Sequence, residues 1–122
     1  MNRQSIASKL FEGRIDNPLA NAEKYLLSNV SMQFYHALHS DLINYFSGKM
    51  GLLATELSIS IISDYLERKN IANEYVIRLQ RMFHELELKL YAPVDENYQM
   101  AIDYSNAQQL IQELNIHFVS GL

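Results

Sequence analysis

Apolar residues recur along this chain at helical rather than strand spacing. From position 76 onward Val76, Leu79, Phe83, Leu86 and Leu90 step by three and four, the signature of one buried helical stripe. That spacing predicts a long helix from about Ala72 to Leu90. Tyr35, Leu38, Leu42, Tyr45 and Phe46 form a second stripe, predicting a helix from Met32 to about Ser47, capped by Ser31 and ended by Gly48 and Gly51. Before it, Asn17-Pro18 reads as cap and first helical residue of a short helix to about Leu27. Ser58 opens a helix over Ile59 to Arg68, with Ile62, Tyr65 and Leu66 inward. Pro93 cannot continue a helical ladder, so it stops the long helix. Asp95 caps a last helix to about Asn115, with Tyr98, Ile102, Ile111 and Leu114 on its apolar side. The leucines of 52–57 read as a loop anchored into the core. No segment alternates long enough to build a sheet. The expectation is an all-α, compact bundle of about five helices over 17–122, preceded by a flexible or partly helical lead over 1–16.

Composition supports a folded domain. The 122 residues are 48% hydrophobic and 20% charged, and a chain of this size buries about two-thirds of its unfolded surface. No apolar run reaches the roughly 20 residues that span a bilayer, and Met1 to Ser5 leads into no signal-peptide core. A cytoplasmic location without membrane insertion is expected, in a complete chain or a piece of a longer one. The formal charge of −4 and scattered Lys and Arg disfavour nucleic acid. With no cysteine, disulfides, thiolate metal sites and cysteine nucleophiles are excluded.

Candidate chemistry is thin. His36 and His39 stand three apart and could share a helix face, with Asp41 or Glu85 completing a metal site; as plain boundary residues they need no ligand. Glu85 and Glu87 point to different sides of their helix, and Asp95 and Glu96 suit a helix start. His84 and His117 stand alone and read as structural. No nucleophile elbow or phosphate-binding glycine loop occurs. The chain is therefore expected to be no enzyme, with no catalytic, cofactor or metal residues. Helix 59–68 could act as a helix-turn-helix reader of DNA, the alternative function. Its outward Ser60, Ser63, Asp64 and Glu67, with only Arg68 basic, suit phosphates poorly.

The expected role is protein–protein interaction. By elimination the partner surface falls on the polar flank of helix 31–47 and the loop after it, near His39, Asn44, Lys49 and Met50. The mixed charges Arg78, Arg81, Glu85 and Lys89 read as a solvated face, and Asp103, Asn106 and Gln109 as a polar, featureless one. Met50, Leu52 and Leu53 sit between glycines, either adaptable to a partner or plugging the bottom of the bundle.

The run Phe34-Tyr35-His36-Ala37-Leu38-His39-Ser40-Asp41-Leu42-Ile43-Asn44-Tyr45-Phe46-Ser47-Gly48-Lys49 is followed by Glu56-Leu57-Ser58, Leu66, Asn70-Ile71, Leu79 and the closing Glu87-Leu88-Lys89-Leu90-Tyr91-Ala92-Pro93. In order and separation these segments resemble the C-terminal cytoplasmic helical domain of BatD-type aerotolerance proteins, over about residues 18 to 112. The resemblance implies the tail of a bacterial, membrane-anchored protein. Such proteins act with a MoxR-type AAA+ ATPase and von Willebrand A-domain proteins in a cell-envelope assembly, and have no catalytic residues to carry over. The sequence departs from that family in lacking the export signal, the sandwich domains and the transmembrane helix, so the resemblance implies either the excised tail of a longer protein or a free-standing relative.

Overall fold

The computed structural model describes residues 17–91 and 97–120. The lead over 1–16, Pro93, Asp95 and the side chain of Tyr98 lie outside what is described. Among the described residues five α-helices follow in order: α1 (Ala20–Ser28), α2 (Ser31–Met50), α3 (Ile59–Arg68), α4 (Asn73–Tyr91) and α5 (Asn97–Ser120), with a 3₁₀ turn, Ala54–Glu56, between α2 and α3. No strand occurs among the described residues, so the chain is an all-α bundle.

The long central helices, α2 and α4, face each other through the stripes the sequence announces. Tyr35, Leu38, Leu42 and Phe46 of α2 meet Val76, Leu79, Phe83 and Leu86 of α4 in one core. Helix α5 completes it with Met100, Tyr104, Ala107, Leu110, Ile111 and Leu114, while α1 lies across α2 and α5. Ile62 and Leu66 attach α3.

Helix ends depart from the sequence expectation for local reasons. Helix α1 starts at Ala20 because Asn17 folds a turn ahead of it: its Oδ1 accepts the Leu19 N–H at 2.9 Å and its carbonyl accepts from Ala20 at 3.3 Å. Ser31 is the first helical residue, not the cap; extended Val30 takes that place. Gly48 does not end α2. Glycine inside a helix costs only about 1 kcal/mol, and the helix continues to Met50. Gly51, at φ 69°, makes the left-handed stop, returning its N–H to the Ser47 carbonyl. Ser58 caps α3 as expected, its Oγ accepting from the Ile61 N–H at 3.2 Å.

Burial corrects other positions. Leu52 and Leu53 are exposed instead of anchored, leaving Met50 and Leu57 to pack on the core. Ser63 is buried, not outward, and accepts a hydrogen bond from Gln80 Nε2 at 3.3 Å. Ile102 points out because the buried register of α5 runs 100, 104, 107, 111, 114. That helix also continues past Asn115 to Ser120, since Phe118 packs beside Tyr45 and Tyr65, with ring centroids 6.2 Å away in each case.

Candidate functional site

The residues suggested for metal binding are not brought together. His36 is exposed, and His39 is half-buried edge-on to Phe83, with ring centroids 5.4 Å apart. Burial lowers the His39 imidazole below its ordinary pKa, Glu87 at 4.0 Å opposes this, and His36 adds to the lowering. Asp41 turns to α1, where its two oxygens accept from the Ala22 N–H and Asn21 Nδ2, each at 3.0 Å. Glu85 instead lines the groove between α4 and α5. Among the described residues no three His, Asp or Glu side chains are placed to hold a metal ion. His117 sits edge-on to Tyr75 at 5.1 Å, and His84 is exposed.

The four residues expected at a partner surface fall into two places. His39 and Asn44 line one recess of about 280 Å³ with Ser40, Ile43, Ala54 and Leu57. Lys49 belongs elsewhere: its ammonium stands over the Tyr45 and Phe118 rings at 5.5 and 5.8 Å, and its carbonyl accepts from the Tyr65 hydroxyl at 3.3 Å. Met50 packs on the core beside it. This aromatic knot pins the end of α5 to α2 and α3, and the Tyr45 hydroxyl donates to Asn115 Oδ1 within it.

A second depression lies on the two faces that the sequence predicts to be solvated. Helices α4 and α5 run antiparallel and leave between them an open trough of about 250 Å³ floored by Met82 and Leu86. Arg81 and Glu85 rise on the α4 rim, Asn106 and Gln109 on the α5 rim. An ion pair closes each end. At one, Lys89 Nζ donates to Asp103 Oδ2 at 2.8 Å; at the other, Arg78 donates to Glu113 at 2.8 Å. Arg78 and Lys89 are about three turns apart, so the trough between the pairs is roughly 16 Å long.

The two ends differ in depth. Asp103 is a hub: besides Lys89 it accepts from the Tyr35 hydroxyl at 2.7 Å and from Gln99 Nε2 at 3.0 Å. The Lys89 ammonium also stands over the Tyr35 ring at 5.5 Å. Burial first, then the hydrogen bond and charge of Asp103, holds the Tyr35 phenol far above its usual pKa, so it remains a donor. The Arg78–Glu113 pair is more exposed; hydrogen bonding raises the guanidinium and lowers the carboxyl from their ordinary values. Asp103, Lys89 and Arg78 are therefore not the free surface charges their sequence context suggests.

No protein family, curated protein or solved structure matches the chain. Among the described residues the side chains of Arg81 and Glu85 make no hydrogen bond or ion pair, although they stand four apart on one helix. A third recess, about 460 Å³ between α3 and α4, is polar and lined by Ser60, Asp64, Glu67, His84 and Glu87. Its acidic character opposes phosphate contacts by α3. No helix of the described residues is long and apolar enough to cross a membrane.

Proposed function

We propose that the chain is a non-enzymatic docking domain, an adaptor that receives a segment of a protein partner in the α4–α5 trough. The observation that carries this reading is the trough's construction: an apolar floor of Met82 and Leu86, polar rims, and ends held shut by ion pairs. An apolar centre within a polar rim is how protein interfaces are organised, and methionine adapts its shape to different apolar partners. Roughly 16 Å accommodates three turns of helix or about five residues of extended chain. The expected occupant places one or two aliphatic side chains on the floor and polar groups against Asn106 and Gln109. The resemblance to BatD-type tails supplies the candidate partners, a MoxR-type ATPase or a von Willebrand A-domain protein, and a cytoplasmic setting beside the membrane.

Calorimetric titration of the purified chain with each candidate tests this reading. Binding to one of them, lost in Met82→Asp but kept in Lys49→Ala, is the expected result. Binding unchanged in Met82→Asp removes the trough from the function, and binding to neither removes these partners.

A further inference from the structure

Helix α4 carries two stripes. The inner one is spent on the core. Directly opposite, Glu74, Ile77, Arg81, His84, Leu88 and Tyr91 repeat at intervals of 3, 4, 3, 4 and 3, the spacing of a coiled-coil seam. All six are exposed, and the apolar members strongly so: Ile77 43%, Leu88 52% and Tyr91 89%. Neither neighbour covers this face. Helix α3 approaches α4 on the Gln80 side, through the bond to Ser63, and α5 on the Arg78 and Lys89 side, through the two ion pairs.

We propose that this outer face of α4 pairs with the same face of a second copy of the chain, antiparallel about a dyad between Met82 and Phe83. The seam is complementary to itself in that direction. Ile77 meets the partner's Leu88, and Leu88 the partner's Ile77. Glu74 meets the partner's Tyr91, whose phenol can donate to the carboxylate. Arg81 falls across from the partner's His84 and beside the partner's Glu85, while Glu85 falls beside the partner's Arg81. The two charges left without partners are thus neutralised twice by one symmetry operation. A parallel pairing would set Arg81 on the partner's Arg81 and His84 on the partner's His84. Charge therefore selects the antiparallel arrangement, an isologous two-fold contact. With two aliphatic residues and one tyrosine per copy, the surface is below standard interface size, so the dimer is weak and concentration-dependent. The pairing does not rest on the trough reading, and its test contains no other protein.

Sedimentation velocity over roughly 10 µM to 1 mM, the range where small interfaces associate, should show the mass rising from 14.1 kDa toward twice that value. Arg81→Glu and Glu85→Arg should each hold the chain at its monomer mass with unchanged far-ultraviolet circular dichroism. The double variant Arg81→Glu/Glu85→Arg should associate again. So should an equimolar mixture of the two single variants, because the carboxylate introduced at position 81 of one then faces the arginine introduced at position 85 of the other. A wild type that stays monomeric throughout overturns the pairing and leaves the face to another macromolecule. Single variants that associate as well as wild type, or a mixture that does not, overturn it equally.

Discussion

The Asp41 carboxylate accepts the backbone N–H of Ala22 at 3.0 Å, although nineteen residues separate them. Ala22 is in the first turn of α1, where N–H groups have no intrahelical acceptor. An acid buried to 4% exposure in α2 thus caps a helix to which it does not belong. The second oxygen, taken by Asn21 Nδ2, completes the clasp. This contact fixes α1 on α2 more specifically than its small apolar face could.

Asp41→Ala should therefore destabilise the chain by about 1.5–3 kcal/mol, the range for a hydrogen bond to a charged group with a donor left unpaired. Asp41→Asn should cost less, keeping one acceptor. Urea titration followed by circular dichroism checks both. A loss below ~0.5 kcal/mol for Asp41→Ala would mean that water replaces the clasp.

Phe83 fills the middle of the core at 2% exposure and also supports the His39 ring. Phe83→Ala should cost about 3–5 kcal/mol, a large part of the roughly 5–15 kcal/mol of a domain. Denaturant titration with less than ~1 kcal/mol lost would place the ring outside the core.

How the Asp103 hub divides its work can be measured. Asp103→Ala strands the Tyr35 hydroxyl and the Lys89 ammonium together, and should cost about 2–4 kcal/mol. Tyr35→Phe removes only a donor and should cost about 0.5–1.5 kcal/mol. A double-mutant cycle should give a coupling well above ~0.5 kcal/mol between the two positions. Additive losses would mean that the 2.7 Å contact carries no energy of its own.

Legibility in the sequence followed distance along the chain. The stripe of α4 is set by neighbours three and four apart, so periodicity located it to within a residue. The same rule misplaced Ile102, because Ala107 is a weak hydrophobic signal yet sits at 0% exposure and sets the α5 register. Gly48 reads as a stop, but of the two glycines at this helix end it is Gly51 that takes the left-handed conformation. The trough was illegible for a plainer reason. Lys89 and Asp103, or Arg78 and Glu113, look like solvated charges until α5 folds back on α4, and the floor between them exists only in that antiparallel pair. All four residues expected at a partner surface lie on α2, but only His39 and Asn44 turn into one recess, while Lys49 faces the Tyr45 and Phe118 rings and Met50 packs on the core, a difference of helix face that elimination along the sequence could not resolve.

His39 gives the stability a definite pH slope. Its pKa is lowered mainly by burial, so between the usual value of about 6.5 and the lower folded value the unfolded chain binds more protons. The His39 contribution is fully present above that usual value and declines as the pH falls through the window. His39→Gln should lessen the loss of urea midpoint between about pH 7.5 and pH 5.5. An identical loss in variant and wild type would show that other groups carry the slope.

A partner that enters between α4 and α5 must touch Met82 on the trough floor and leave Asn44 on the α2 recess untouched. Placing the photo-crosslinker p-benzoylphenylalanine at position 82, and in a parallel strain at position 44, reads this out in the living cell. Mass spectrometry then identifies every adduct. A discrete adduct with a MoxR-type ATPase or a von Willebrand A-domain protein from position 82, and none from position 44, is the result predicted. An adduct with such a protein from position 44 alone would contradict the docking proposal and return the partner surface to the His39–Asn44 recess.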